Sequence, residues 1–195
     1  MEVISLLCPN CGAPVAAKDK ECEHCGSPII ITSMKSAASL STLQLNKYAN
    51  SYRKTLENNP DNRDINLSIG ICYLKLKLYD KALPAFEKAM EDNFENPEPF
   101  YLAAMALLKG KKPFVTPRAD IDKMIEYLNA AIMIDPQAIF YYFLAYIKYD
   151  YFERKYLNTK PNYHELIEEA LAHQISPYDV DEFHAQTETP SPQLI

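Results

Sequence analysis

Four cysteines stand in two matched hooks near the start of this chain, Cys8-Pro9-Asn10-Cys11-Gly12 and Cys22-Glu23-His24-Cys25-Gly26. Thiolates in that pattern bind metal. Each CxxC turn presents two sulfurs, and two turns supply the four ligands, at about 2.3 Å, that a tetrahedral Zn2+ takes. The glycine after each second cysteine permits the positive φ at which such a turn closes. Four sulfurs complete the coordination shell and leave no open position for a catalytic water. The expected cofactor is one structural Zn2+ on Cys8, Cys11, Cys22 and Cys25. Other uses of the cysteines fit less well. A redox CxxC comes once, beside a βαβ pattern that does not follow here. Disulfides imply an exported chain, and Met1-Glu2-Val3-Ile4-Ser5-Leu6-Leu7 is too short and lacks the basic start of a secretory signal. His24, inside the second hook, reads as a solvent-facing loop residue rather than a substitute ligand.

Further chemistry is sparse. His164-Glu165-Leu166-Ile167-Glu168 begins like HExxH but lacks the second histidine, and Glu169 with His173 makes only a pair on one helix face. The 4 glycines form no phosphate-cradling loop and no nucleophile elbow. Cys72 reads as a small buried hydrophobe. The chain is expected not to be an enzyme, with no small-molecule substrate.

The hooks resemble the small prokaryotic zinc-ribbon family, whose knuckles read CPxCG and CxxCG, over about Leu7 to Ile30. Glu21 departs from that pattern, where many ribbons carry an aromatic residue. Some members bind nucleic acid with basic and aromatic hairpin residues. Here Lys18 and Lys20 face Glu2, Asp19, Glu21 and Glu23, and a four-thiolate zinc adds about two negative charges. Phosphate binding would lack its main source of energy.

The elements that carry this head come from the rest of the chain. At 195 residues, 48% hydrophobic with 14 tyrosines and 8 phenylalanines, it can build one ordinary core plus an appendage. Scarce glycine argues against a β-rich body. A balance of 20 basic to 26 acidic residues, net −6, argues against a nucleic-acid coat or a membrane surface. No apolar run is long enough to span a bilayer. A cytoplasmic protein with reduced thiols is expected.

Behind the head the sequence repeats. Arg63 to Asn96 reads as helix, turn, helix, and Pro97 restarts the pattern after 34 residues. Gly70 and Tyr73 on the first helix, then Ala82, Phe86 and Ala89 on the second, alternate small and aromatic residues where two helices must approach. Ala104 takes the small position in the next repeat, with Phe100 and Leu107 beside it, and its second helix runs Asp120 to Ile134 with Leu128 and Ala131. A third unit follows, with helices over about 138–156 and 163–174. A lone helix over 42–58, with Tyr48 and Tyr52 inward, precedes the first repeat. Asn59-Pro60, Asp135-Pro136 and Ser176-Pro177 are helix stops.

Period and pattern residues resemble the tetratricopeptide (TPR) family over about Leu40 to Tyr178. The tryptophan position holds Asn66, Phe100 and about Tyr142 instead, and the loop from Gly110 to Pro117 splits the second repeat. The resemblance implies a curved array of stacked hairpins whose first helices line a concave side. Carried over by position, that side is Asp64, Leu67, Ile71, Leu74 and Lys75 in the first repeat. It is Glu98, Tyr101, Met105, Leu108 and Lys109 in the second, and Phe140, Phe143, Ile147, Asp150 and Tyr151 in the third. Family members that clamp chaperone carboxylate tails need Lys and Asn where this chain has apolar residues, so that mode is not expected. The candidate partner groove is Leu67, Ile71, Leu74, Lys75, Tyr101, Met105, Leu108, Lys109, Phe143 and Ile147. Its occupant is either a partner segment or the chain's own 42–58 helix or tail.

The expected fold class is mainly α, a TPR-like α-solenoid with a small N-terminal β zinc ribbon. Residues 1–32 are expected to form the ribbon, 33–41 a linker, 42–178 the repeats and 179–195 an acidic, disordered tail. The function expected is that of a protein–protein interaction scaffold or adaptor in a bacterial multiprotein assembly, the ribbon serving as a second docking module. The alternative is a nucleic-acid-associated regulator using the ribbon and the basic loop over 111–118.

Overall fold

Two antiparallel strands open the fold, β1 (Ser5–Leu7) and β2 (Pro14–Ala16), with Leu6 opposite Val15. The computed structural model describes residues 5–16 and 19–195, so Glu2 and Lys18 of the head lie outside it. Eight α-helices follow among the described residues: α1 (Thr42–Leu56), α2 (Arg63–Lys75), α3 (Tyr79–Met90), α4 (Glu98–Leu108), α5 (Arg118–Ile134), α6 (Ala138–Ile147), α7 (Tyr163–Ala172) and α8 (Pro177–Thr187). They form two compact units, residues 1–93 and 94–195.

Local chemistry sets the helix ends. Ser41 begins α1 with a reciprocal cap, its hydroxyl accepting from the Gln44 N–H while Gln44 Oε1 accepts from the Ser41 N–H. Asn62 caps α2 through the Ile65 N–H, and Asn162 caps α7 through Glu165. Lys109 closes α4 in the left-handed region at φ 51°.

In the first unit α2 and α3 form a hairpin, and α1 packs on α2. The pattern glycine explains the close approach. A Cβ on Gly70 would lie 2.5 Å from Cε1 of Phe86, whose ring is fully buried. In the second unit α4 with α5 and α6 with α7 form hairpins, joined where α5 meets α6. Phe100 and Tyr127 meet edge to face across the α4–α5 hairpin at 6.5 Å. Beyond Ile147 the helix expected to run to Tyr156 continues as a π turn (Lys148–Phe152) and a 3-10 turn (Glu153–Lys155).

Two segments are more ordered than a loose chain. Residues 33–41, expected as a linker that is either flexible or the start of a helix, form successive turns: Met34 and Ala37 are buried, and the Ala38 and Leu40 N–H groups close turns on Lys35 and Ala37. The acidic tail is not a solvated coil. Ser176 and Asp179 cap α8 reciprocally, and Val180, Phe183, His184, Thr187 and Thr189 are buried. Its exposed acids mask an apolar stripe at helical spacing.

Candidate functional site

The two hooks fold alike. In the first, the Gly12 N–H reaches the Cys8 carbonyl at 2.9 Å with Gly12 at φ 78°; in the second, Gly26 reaches Cys22 at 2.8 Å with φ 67°. Cys8 and Cys22 are buried, Cys11 and Cys25 face outward. The Sγ atoms of Cys8 and Cys25 are 3.6 Å apart, those of Cys11 and Cys22 3.7 Å, and all four lie within 4.8 Å of one another. A tetrahedron with Zn–S bonds of about 2.3 Å has edges of about 3.8 Å. The sulfurs therefore fit one structural Zn2+. Among the described residues this is the one cluster of three or more such ligands.

Asn10, inside the first hook, gives the centre support that spacing alone did not reveal. Its side-chain amide donates to the Ser27 hydroxyl at 2.9 Å and lies 3.8 Å from the Cys25 sulfur, tying one knuckle to the other. The Ser27 hydroxyl and backbone hold the Cys25 thiol down at about 6. The Ala13 backbone also favours the Cys11 thiolate, yet burial and the three other sulfurs push that thiol up to about 12. Four sulfurs this close share protons until a cation displaces them, so metal binding releases acid.

The ribbon is fastened to α1 and α2 by hydroxyls. Tyr48 donates to the Pro28 carbonyl at 2.8 Å and Tyr52 to the Ile29 carbonyl at 2.7 Å. Ser51 donates to Leu7 at 2.6 Å, and Ser68 of α2 to Ile31 at 2.8 Å. Ile29 and Ile31 are fully buried beside these bonds. Burial pushes the Tyr48 phenol up to about 12 and the Tyr52 phenol further, so both stay neutral donors. Sequence spacing set both rings inward but gave no sign that their hydroxyls would meet the ribbon's backbone. Between β1 and α1 lies a cleft of about 540 Å³ bordered by Leu7, Lys47, Asn50, Lys54 and Asn58.

The apolar residues of the candidate groove are all covered. Leu67, Ile71 and Leu74 are buried in the first unit, with Lys75 half-buried. Ser68 on the same helix binds the backbone of the 28–31 segment, and α1 packs alongside. In the second unit Tyr101, Met105, Leu108, Phe143 and Ile147 are buried and Lys109 is exposed. The structure brings Tyr101 and Phe143 together at 6.2 Å, with Phe140 at 5.1 Å from Tyr101. Phe183 of α8 rests on Phe143 at 4.7 Å. His184 of α8 is held between the Tyr142 hydroxyl, 2.8 Å from Nε2, and the Thr189 hydroxyl, 2.9 Å from Nδ1.

The remaining candidates serve packing. The Phe114 N–H donates to buried Asp150 at 2.7 Å, and Asp150 also pairs with Arg154, which pins the 110–117 loop. Arg118 is engaged by Asp122 and lies 5.0 Å from the Phe152 ring, leaving Lys111 and Lys112 exposed. Burial raises the Cys72 thiol to about 12, as befits an inert core residue. His173 stacks on Tyr141 at 4.8 Å, and Glu165 is spent as a helix cap. Among the described residues no helix is long and apolar enough to cross a membrane.

Comparison with known proteins agrees with this architecture. Residues 7–29 match the family model of a zinc-ribbon domain. No curated protein matches the chain. Among solved structures, MamA residues 41 to the end from Desulfovibrio magneticus RS-1 is 20% identical with a TM-score of 0.55, over 73% of this chain and 74% of that one. A MamA RS-1 double mutant is 19% identical with a TM-score of 0.56, over 72% and 71%. Another MamA crystal structure is 16% identical with a TM-score of 0.57, over 78% of each. At these identities the likeness is one of fold. The chain is a zinc ribbon followed by tetratricopeptide-like helical repeats.

Proposed function

We propose that this protein is a non-enzymatic adaptor of a reducing, cytoplasmic compartment, whose TPR-like repeats bind a segment of a protein partner within a larger assembly. The observation that carries this reading is the aromatic face of α6, which meets Tyr101 of α4 and holds a helical segment, α8, by ring contacts and a buried histidine. Surfaces rich in Tyr and Phe that grip one helix have the chemistry to grip another. The closed four-sulfur centre supports a fold-holding rather than catalytic ribbon. The cleft between β1 and α1, edged by Leu7, Lys47 and Lys54, is the ribbon's candidate docking surface.

The test is photo-crosslinking in the native cell. A photoreactive residue in place of Lys109, exposed at the end of α4, is expected to trap discrete polypeptides. The same residue in place of Leu171, exposed on α7, is expected not to. Equal labelling from both positions, or none from either, would remove the adaptor reading.

A further inference from the structure

In the first unit β1 lies along α1 with its outer edge outside the two-stranded sheet. The Cys8 N–H donates to the Ala13 carbonyl at 2.7 Å, and opposite Leu7 stands Pro14, which has no N–H to give. Alternation along an antiparallel ladder therefore turns the Leu7 N–H and carbonyl away from β2. The carbonyl accepts from Ser51 at 2.6 Å. The N–H has no partner among the described residues, and the Leu7 side chain is 53% exposed. This edge borders the cleft of about 540 Å³ between β1 and α1.

The facing wall is cationic. The 15 residues of α1 carry Lys47, Arg53 and Lys54 and no acid, in a chain whose net charge is −6. Lys47, Asn50, Ser51 and Lys54 border the cleft at helical spacing, and Asn58 extends the row. Both lysines are exposed, and among the described residues neither makes an ion pair. The described lining of the cleft holds no carboxylate and no aromatic ring. Cys8 borders it from the ribbon side but is buried, its sulfur gathered with the other three. Two ammonium groups and a strand-edge amide thus face the cleft with nothing of opposite charge beside them.

We infer that this cleft receives an extended, acidic segment of a partner protein, laid beside β1. A backbone carbonyl of the segment accepts from the Leu7 N–H, its carboxylates meet Lys47 and Lys54, and an apolar side chain between them packs on Leu7. The two lysines stand seven residues apart, about 10 Å along the helix. Carboxylates four residues apart on one side of an extended chain span about 13 Å, a difference that flexible lysine stems absorb. A nucleic-acid strand is the other flexible polyanion, but it takes aromatic platforms for its bases, which this lining does not have. The inference rests on the ribbon's docking role in the adaptor reading and names the chemistry of the segment it takes.

The test is titration of the isotope-labelled, zinc-loaded full chain, followed by the NMR shifts of its amides. The probe is the end-blocked peptide Glu-Val-Glu-Val-Glu. It is expected to move the amides of Leu7, Lys47, Asn50 and Lys54 to saturation, while Lys-Val-Lys-Val-Lys moves none of them. A variant carrying Lys47→Glu and Lys54→Glu is expected to bind the acidic peptide about tenfold more weakly or worse. If that variant loses the folded amide signals of Gly12 and Gly26, Lys47→Gln with Lys54→Gln takes its place, with a smaller loss expected in the same direction. No movement with the acidic peptide, equal movement with the basic one, or full affinity in a folded variant would overturn the proposal. So would tighter binding of pentathymidylate at the same amides, equal binding of free glutamate, or shifts that follow protein concentration without peptide, the mark of a second copy in the cleft. Peptide binding here with no crosslinking at Lys109 would uphold the cleft and remove the repeats from the adaptor reading. Crosslinking at Lys109 with no movement at Leu7 would remove the cleft alone.

Discussion

At the scale of single residues, the fold depends on a few close contacts whose loss has a calculable sign. Gly70→Ala gains helix propensity of up to about 1 kcal/mol. It also drives a methyl group to 2.5 Å from the fully buried Phe86 ring, and overpacking of that kind costs about 1–3 kcal/mol. A net loss of about 1–2 kcal/mol is expected by urea denaturation; a stabilised variant would show that the α2–α3 contact is looser than described. Tyr52→Phe leaves the Ile29 carbonyl buried without its donor, and a loss of about 1–3 kcal/mol is expected in the same assay. The metal ligands and the Gly70–Phe86 pair were legible because spacing determines them. Asn10 and Ser27 were not, since an amide and a hydroxyl at those positions look like ordinary turn residues until the knuckles are brought face to face.

At the scale of elements, the segment misjudged was the tail. Acidic residues dominate 179–195, but composition averages over a helix whose buried side is only Val180, Phe183, His184 and Thr187. The hairpins were legible because each repeats a period, whereas α8 occurs once. Its seat makes a pH prediction. Burial lowers the His184 pKa from its ordinary 6.5, opposed by the bond to Thr189 and by Asp181, while Tyr142 and Tyr146 face the ring as neutral phenols. The folded chain therefore binds fewer protons at this site than the unfolded one, so stability rises with pH through the window below 6.5. Acidification through that window is expected to lower the protection of the α8 amides relative to their intrinsic exchange rates, and His184→Gln is expected to flatten the dependence. Protection of α8 that does not change with pH in the parent chain would contradict the assignment. The ribbon's seat makes another. Because Tyr48, Ser51 and Tyr52 bind ribbon carbonyls, chelation is expected to free the first 30 or so residues and loosen α1, while helical circular dichroism falls by no more than the share of α1. Collapse of the whole helical signal would show that the metal holds up more than the ribbon.

At the scale of the whole molecule, a net charge of −6, a metal centre closed by four sulfurs and helical repeats that bury their apolar stripes are the features on which the proposed adaptor role rests. Fold class was readable from period and spacing. What covers the candidate groove was not, because sequence pattern assigns residues to a face without saying whose atoms meet it. The most direct measurement is hydrogen exchange on the full chain, free and in its purified native complex. In the complex, amides of the second unit that border the aromatic face, those of α8 and of the turn after α4, are expected to change protection by at least tenfold while those of α3 do not. Protection unchanged throughout the second unit would contradict the proposal that this face is where a partner binds.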